Sequence, residues 1–172
     1  ACARRGCRAV RAVRWGGGVR AGGAWASESA AEGPRRVFGT AGYLAEAARG
    51  SAPDAGITTM VGPGGDPHTD QPSTRDITTL READAVLWNG LHLEAQMTGQ
   101  LESLGPAQIA VAEEIDPALL LPWPDRDAAG EPLHDPHIWN SPTAWSQAVE
   151  VIADHLAGID PAGAQEYRDR AV

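Results

Sequence analysis

Four short apolar runs limit what this chain can become. Val37–Thr40, Ile57–Val61, Ala85–Trp88 and Ile109–Ala112 each have strand length, and helical stretches separate them. Tyr43–Arg49 is one such stretch, expected to stop at Gly50. Ser73 opens another as N-cap, with Asp76 in a capping-box position and Ile77 and Leu80 on the apolar face. Leu93, Met97, Leu101 and Leu104 form a single helical stripe closed by Gly105-Pro106. Strands separated by helices of this length predict an α/β fold, a parallel four-stranded sheet flanked by helices with right-handed crossovers.

Beyond the fourth run lies a Pro-, Asp- and Leu-rich connection, Asp116–Asp135, too long for a plain turn. Ser141-Pro142 then starts a helix whose stripe is Trp145, Val149, Ile152 and Leu156, expected to end at Gly158. Asp160-Pro161 begins another, still running at Val172. Residues 1–36 are Arg- and Gly-rich without periodicity and read as a disordered leader or linker. Arg11, Arg14 and Arg20 interrupt every candidate apolar core of an export signal there. The expected organisation is a leader over 1–36, an α/β lobe over 37–158 and the start of a longer helix over 159–172.

Charge narrows the function. The net charge of −9 is uneven: residues 1–36 hold eight arginines and two glutamates, the remainder six arginines and 21 acids. An acidic body argues against a nucleic-acid surface and suits a protein that handles cations. The chain has no lysine, which excludes a Walker lysine and Schiff-base chemistry. Cys2 and Cys7 both lie in the leading segment, so the body has neither a disulfide nor a thiolate metal site. No apolar run is long enough to span a membrane as a helix.

One motif occurs twice. Asp66-Pro67-His68 follows the second strand, and Asp135-Pro136-His137 follows the fourth beyond its long connection. In an open parallel sheet both histidines then stand on the carboxyl rim, where ligands gather. Proline fixes its own φ and extends the preceding Asp, so each imidazole is presented from stiff backbone. His68 and His137 are therefore the candidate metal ligands, with Asp66 and Asp135 placed to orient their rings. A phosphate loop at Gly62–Gly65 is a poorer reading, since neither a Gly-Lys-Ser/Thr nor a G-x-G-x-x-G pattern is present. His92 reads as a helix-start residue near the rim, His134 and His155 as solvent-facing, and Trp88 and Trp139 as candidate walls of a cleft.

Together these motifs resemble the metal-binding receptors of ABC transporters, the extracytoplasmic solute-binding proteins for manganese or zinc. The likeness runs from Val37 to Val172 and rests on Gly62-Pro63-Gly64-Gly65-Asp66-Pro67-His68, Ala83-Asp84, Asn89-Gly90-Leu91-His92-Leu93-Glu94, Asp135-Pro136-His137-Ile138-Trp139 and Asp160-Pro161 ahead of Tyr167. The resemblance implies a two-lobe fold joined by one long helix, of which this chain supplies the N-terminal lobe and the helix start. It implies His68 and His137 as two metal ligands, with the others on the second lobe. It also implies a monomer in the periplasm or anchored as a cell-surface lipoprotein, delivering manganese or zinc to an ABC transporter permease. Zinc-type members often carry a His-rich insertion where Leu119–His134 stands, and only His134 is found there, which leans towards manganese or mixed use. The alternatives are a metal-dependent hydrolase built on the same two histidines, or a non-functional gene fragment. The body offers neither H-E-x-x-H nor G-x-S-x-G.

Overall fold

Strand order positions everything else. The computed structural model describes residues 36–62 and 64–171. Four parallel strands, β1 (Arg36–Gly39), β2 (Gly56–Thr59), β3 (Ala85–Trp88) and β4 (Gln108–Ala110), pair in the order β2-β1-β3-β4. Val37 stands opposite Ile57 on one side and Ala85 on the other, and Leu87 stands opposite Ile109. The expected parallel sheet is present. Side chains alternate across it as a two-residue period demands. Val37, Ala85 and Leu87 enter one core cluster, while Phe38, Val86 and Trp88 enter the other.

Helices cover both faces. On the first face lie α1 (Gly42–Ser51), α4 (Pro142–Ile159) and α5 (Ala164–Arg170). Ala48 of α1 and Ala144, Ala148, Ala153 and Ala157 of α4 are buried there, and small side chains let helices approach the sheet and each other closely. The second face holds α2 (Thr74–Glu82) and the short α3 (Thr98–Glu102), whose Leu80 and Leu101 are buried with Phe38 and Trp88. The reciprocal Ser73–Asp76 capping box is formed: the Asp76 N–H donates to Ser73 Oγ at 3.2 Å and the Ser73 N–H to Asp76 Oδ2 at 2.8 Å.

Several expectations are corrected. Both α1 and α4 run through their glycines, Gly50 and Gly158, and stop just before Pro53 and Pro161, which disfavour helical geometry in the residue ahead of them. The Leu93–Leu104 stripe is buried at Leu93, Met97 and Leu101, yet only Thr98–Glu102 is α-helical. Gly90, Leu91 and His92 have φ of 81°, 51° and 63°, a left-handed turn that delays the helix, so His92 is an exposed turn residue rather than a helix start. Within the long connection lies an antiparallel hairpin, β5 (Pro122–Arg126) and β6 (Pro132–His134). The helical residues after Asp160-Pro161 begin at Ala164. Trp88 is core, donating from Nε1 to Gln108 Oε1. His134 and His155 are half-buried, not solvent-facing: His155 Nε2 lies 3.2 Å from the Ala107 carbonyl, and His134 is packed into β6. The leader expected over residues 1–36 falls, but for Arg36, outside the described residues.

Candidate metal centre

Two loops on the carboxyl rim build the site. The first leaves β2 with its backbone still tied to β1, Met60 N–H to the Gly39 carbonyl and Val61 N–H to the Thr40 carbonyl, both at 3.0 Å. It then turns tightly at Gly65, where a Cβ would stand 2.5 Å from Asp70 Oδ2 and 2.7 Å from Val61 Cγ1. No larger residue fits without displacing one of them. Asp66 follows, and its Oδ1 accepts the His68 backbone N–H at 3.0 Å. The second loop leaves β6 with Asp135 N–H bonded to the Leu121 carbonyl, and Asp135 Oδ1 accepts the His137 N–H at 2.9 Å. Each Asp-Pro-His thus folds as the same Asx turn, with proline fixing the middle.

The turns bring the two imidazoles tip to tip. His68 Nε2 lies 3.3 Å from His137 Nε2, with the ring centroids 5.3 Å apart. Two nitrogens bound at about 2.0–2.1 Å to one tetrahedral ion stand about 3.3–3.4 Å apart. The observed gap matches that edge, and it is also within hydrogen-bond reach when one of the two Nε2 atoms carries a proton. Among the described residues no group of three or more His, Cys, Asp or Glu side chains converges. The two imidazole nitrogens are the donors that the turns bring together here.

The two aspartates differ in what they touch. Asp135 Oδ1 also accepts the His137 ring, 2.6 Å from Nδ1, which keeps a proton on Nδ1 and, in the neutral imidazole, leaves the lone pair on Nε2, on the side of His68. Burial pushes the Asp135 carboxyl up, but the hydrogen bonds and charge of His137 outweigh it and hold the group below the usual range. Asp66 engages its histidine through the backbone, so it sets the loop rather than the ring.

Aromatic rings wall His137. Trp139 meets it edge-on at 5.1 Å and Trp123 of the hairpin at 6.2 Å. Tyr43 stacks on Trp139 at 4.3 Å and donates its hydroxyl to Asn89 Oδ1 at 3.1 Å. Burial first, then the Glu94 charge, pushes the Tyr43 phenol above its ordinary range, so it remains a donor. Trp139, one of the two tryptophans expected to wall a cleft, therefore stands against His137 and lines the cleft beside it. Tyr43 and Trp123 carried no sequence signal, because helix α1 and an unforeseen hairpin bring them in. Beside the first loop, Tyr43, Arg49, Val61, Pro67 and Trp139 line a cleft of about 530 Å³.

The zinc-uptake complex component A periplasmic family, ZnuA, matches residues 37–172. The chain belongs to the ZnuA family. Among curated proteins it resembles the manganese-binding lipoprotein MntA of Bacillus subtilis, 36% identical over 140 residues that make up 79% of this chain and 44% of that protein. The zinc-binding protein TroA of Treponema pallidum is 31% identical over 83% of this chain and 46% of its own length. The chain thus spans less than half the length of either relative. In solved structures this ZnuA-family chain superposes on TroA of Treponema pallidum with a TM-score of 0.70 at 30% identity, covering 81% of this chain and 49% of that one. A manganese-bound periplasmic metal binding protein from Candidatus Liberibacter asiaticus gives 0.66 at 28% identity, covering 80% and 50%. The family is one of metal-binding transport receptors, not of enzymes.

Proposed function

We propose that this chain captures a divalent transition metal, manganese or zinc, outside the cytoplasm through His68 and His137, for delivery to an ABC transporter permease. The observation that carries the reading is the 3.3 Å separation of the two Nε2 atoms, which suits a shared ion. The metal-binding names of the relatives support it, and they do not favour a hydrolase on the same histidines. The chain acts as a receptor rather than an enzyme, as a monomer in the periplasm or tethered to the cell surface.

Capture follows from the site's own groups. Asp135 holds the Nδ1 proton of His137 and leaves Nε2 free to ligate. His68 ligates once its Nε2 carries the lone pair, its proton residing on Nδ1. Both imidazoles must be neutral, so affinity falls in acid as protons compete with the ion. The acidic surface raises the local concentration of cations. With two protein donors the ion keeps water in its remaining positions, and binding is weaker than in a closed four-ligand site.

Titration of Zn²⁺ and Mn²⁺ into the purified chain, read by native mass spectrometry, tests the proposal. One ion per chain is expected, lost in the His68→Ala/His137→Ala double variant. Binding that survives the double variant would refute the assignment.

A further inference from the structure

One buried carboxylate has no part in the function described so far. Glu94 is only 2% exposed, yet three donors surround it. The Thr40 hydroxyl reaches Oε1 at 2.7 Å, the Asn89 N–H reaches the same oxygen at 2.8 Å, and the Gly90 N–H reaches Oε2 at 3.2 Å. Burial pushes the Glu94 carboxyl above its usual range, and these three bonds act against that shift. The bonds hold a segment that resists its own shape, because Leu91 and His92 stand in the left-handed region where a non-glycine residue is strained.

Two of the three donors, Thr40 and Asn89, lead to different histidine loops. Thr40 is the residue whose carbonyl accepts the Val61 N–H, the last sheet-like bond before the chain departs for His68. Asn89, itself fully buried, donates from Nδ2 to the Pro136 carbonyl at 3.0 Å, on the peptide that leads into His137. Asn89 also accepts from Tyr43, whose ring backs Trp139 against His137. The two histidines are 69 residues apart in sequence, and Glu94 is linked to both of their loops, through Thr40 to one and through Asn89 to the other.

We infer that Glu94 is the common strut of the metal site: through Thr40 and through Asn89 it sets the spacing of His68 and His137 to that of two ligands of one ion. This rests on the reading of those histidines as ligands. The strut touches neither imidazole. It acts by fixing the anchor points of both turns, so the ion meets a preformed edge rather than two wandering rings.

The test cuts each arm separately and leaves Glu94 in place. Thr40→Val keeps shape and removes the hydroxyl, Thr40→Ser keeps the hydroxyl, and Asn89→Ala removes the grip on Pro136. Zinc affinity is measured by competition with a chromophoric chelator, beside urea unfolding of each metal-free variant and the visible absorption of the Co²⁺ form. Thr40→Val and Asn89→Ala are each expected to weaken zinc binding about 10–100-fold, the usual cost of losing a supporting partner of a metal ligand. Thr40→Ser should recover most of that loss. The visible Co²⁺ bands of the wild-type chain should be altered in the two damaged variants while both remain folded. Full zinc affinity and unchanged Co²⁺ bands in both would overturn the strut, even if unfolding midpoints drop. The His68→Ala/His137→Ala variant separates the two ideas. Loss of binding there with none in the arm variants rejects only the strut, and binding retained there rejects the site and the strut together.

Discussion

At the scale of single residues, the doubled Asp-Pro-His made both histidines legible, because proline and an Asx turn act locally wherever the tripeptide stands. What separates Asp66 from Asp135 was not legible. The tripeptides are identical, and the His137 ring, with Trp139 and Trp123 beside it, puts its Nδ1 onto its aspartate, which the His68 ring does not. This difference predicts unequal variants. Asp135→Asn should weaken zinc binding about 10–100-fold, since a ring-orienting carboxylate is lost, and Asp66→Asn should cost less. The sign with pH follows from the depressed Asp135 carboxyl. A depressed carboxylate contributes stability that is complete above its unfolded value, about 3.9, and disappears as pH falls through the lower folded one. Unfolding midpoints of wild type and Asp135→Asn should therefore differ near neutrality and converge only below about pH 3.9.

At the scale of elements, the strands and the Ser73 cap were readable because short-range rules decide them. Helix ends were misread at Gly50 and Gly158, where glycine lies inside the helix and a proline farther on does the stopping. The hairpin was missed because Pro122 and Pro124 argue against a strand, yet prolines are tolerated in an isolated two-stranded ribbon that is all edge. The delayed helix after β3 was invisible for another reason. Its left-handed turn is imposed by Glu94 and by Glu113, which accepts the Leu91 N–H at 3.1 Å, contacts no local propensity encodes. That strain can be measured. His92 is exposed with φ of 63°, so His92→Gly should stabilise the chain by about 0.5–1 kcal/mol in urea unfolding, glycine's entropy offsetting part of the relief.

At the scale of the whole molecule, the parallel sheet and its rim could be anticipated, whereas the order β2-β1-β3-β4 had to be observed. That order sets β1 between β2 and β3, so Thr40 at its end can reach Glu94 across the sheet. The larger core on the α1–α4 face lies below the site, and its cost should be separable from function. Ile152 is fully buried there, and Ile152→Ala should lose about 2–5 kcal/mol of stability while zinc affinity in the folded fraction stays near wild type, checked by calorimetry beside the chelator titration. The indoles of Trp123 and Trp139 have one more consequence. Standing 6.2 and 5.1 Å from His137, they are within the range at which an imidazole and its cargo perturb an excited indole. If His137 ligates an ion as proposed, its arrival should change the chain's own ultraviolet emission, so the kinetics of loading could be followed by light without attaching any dye.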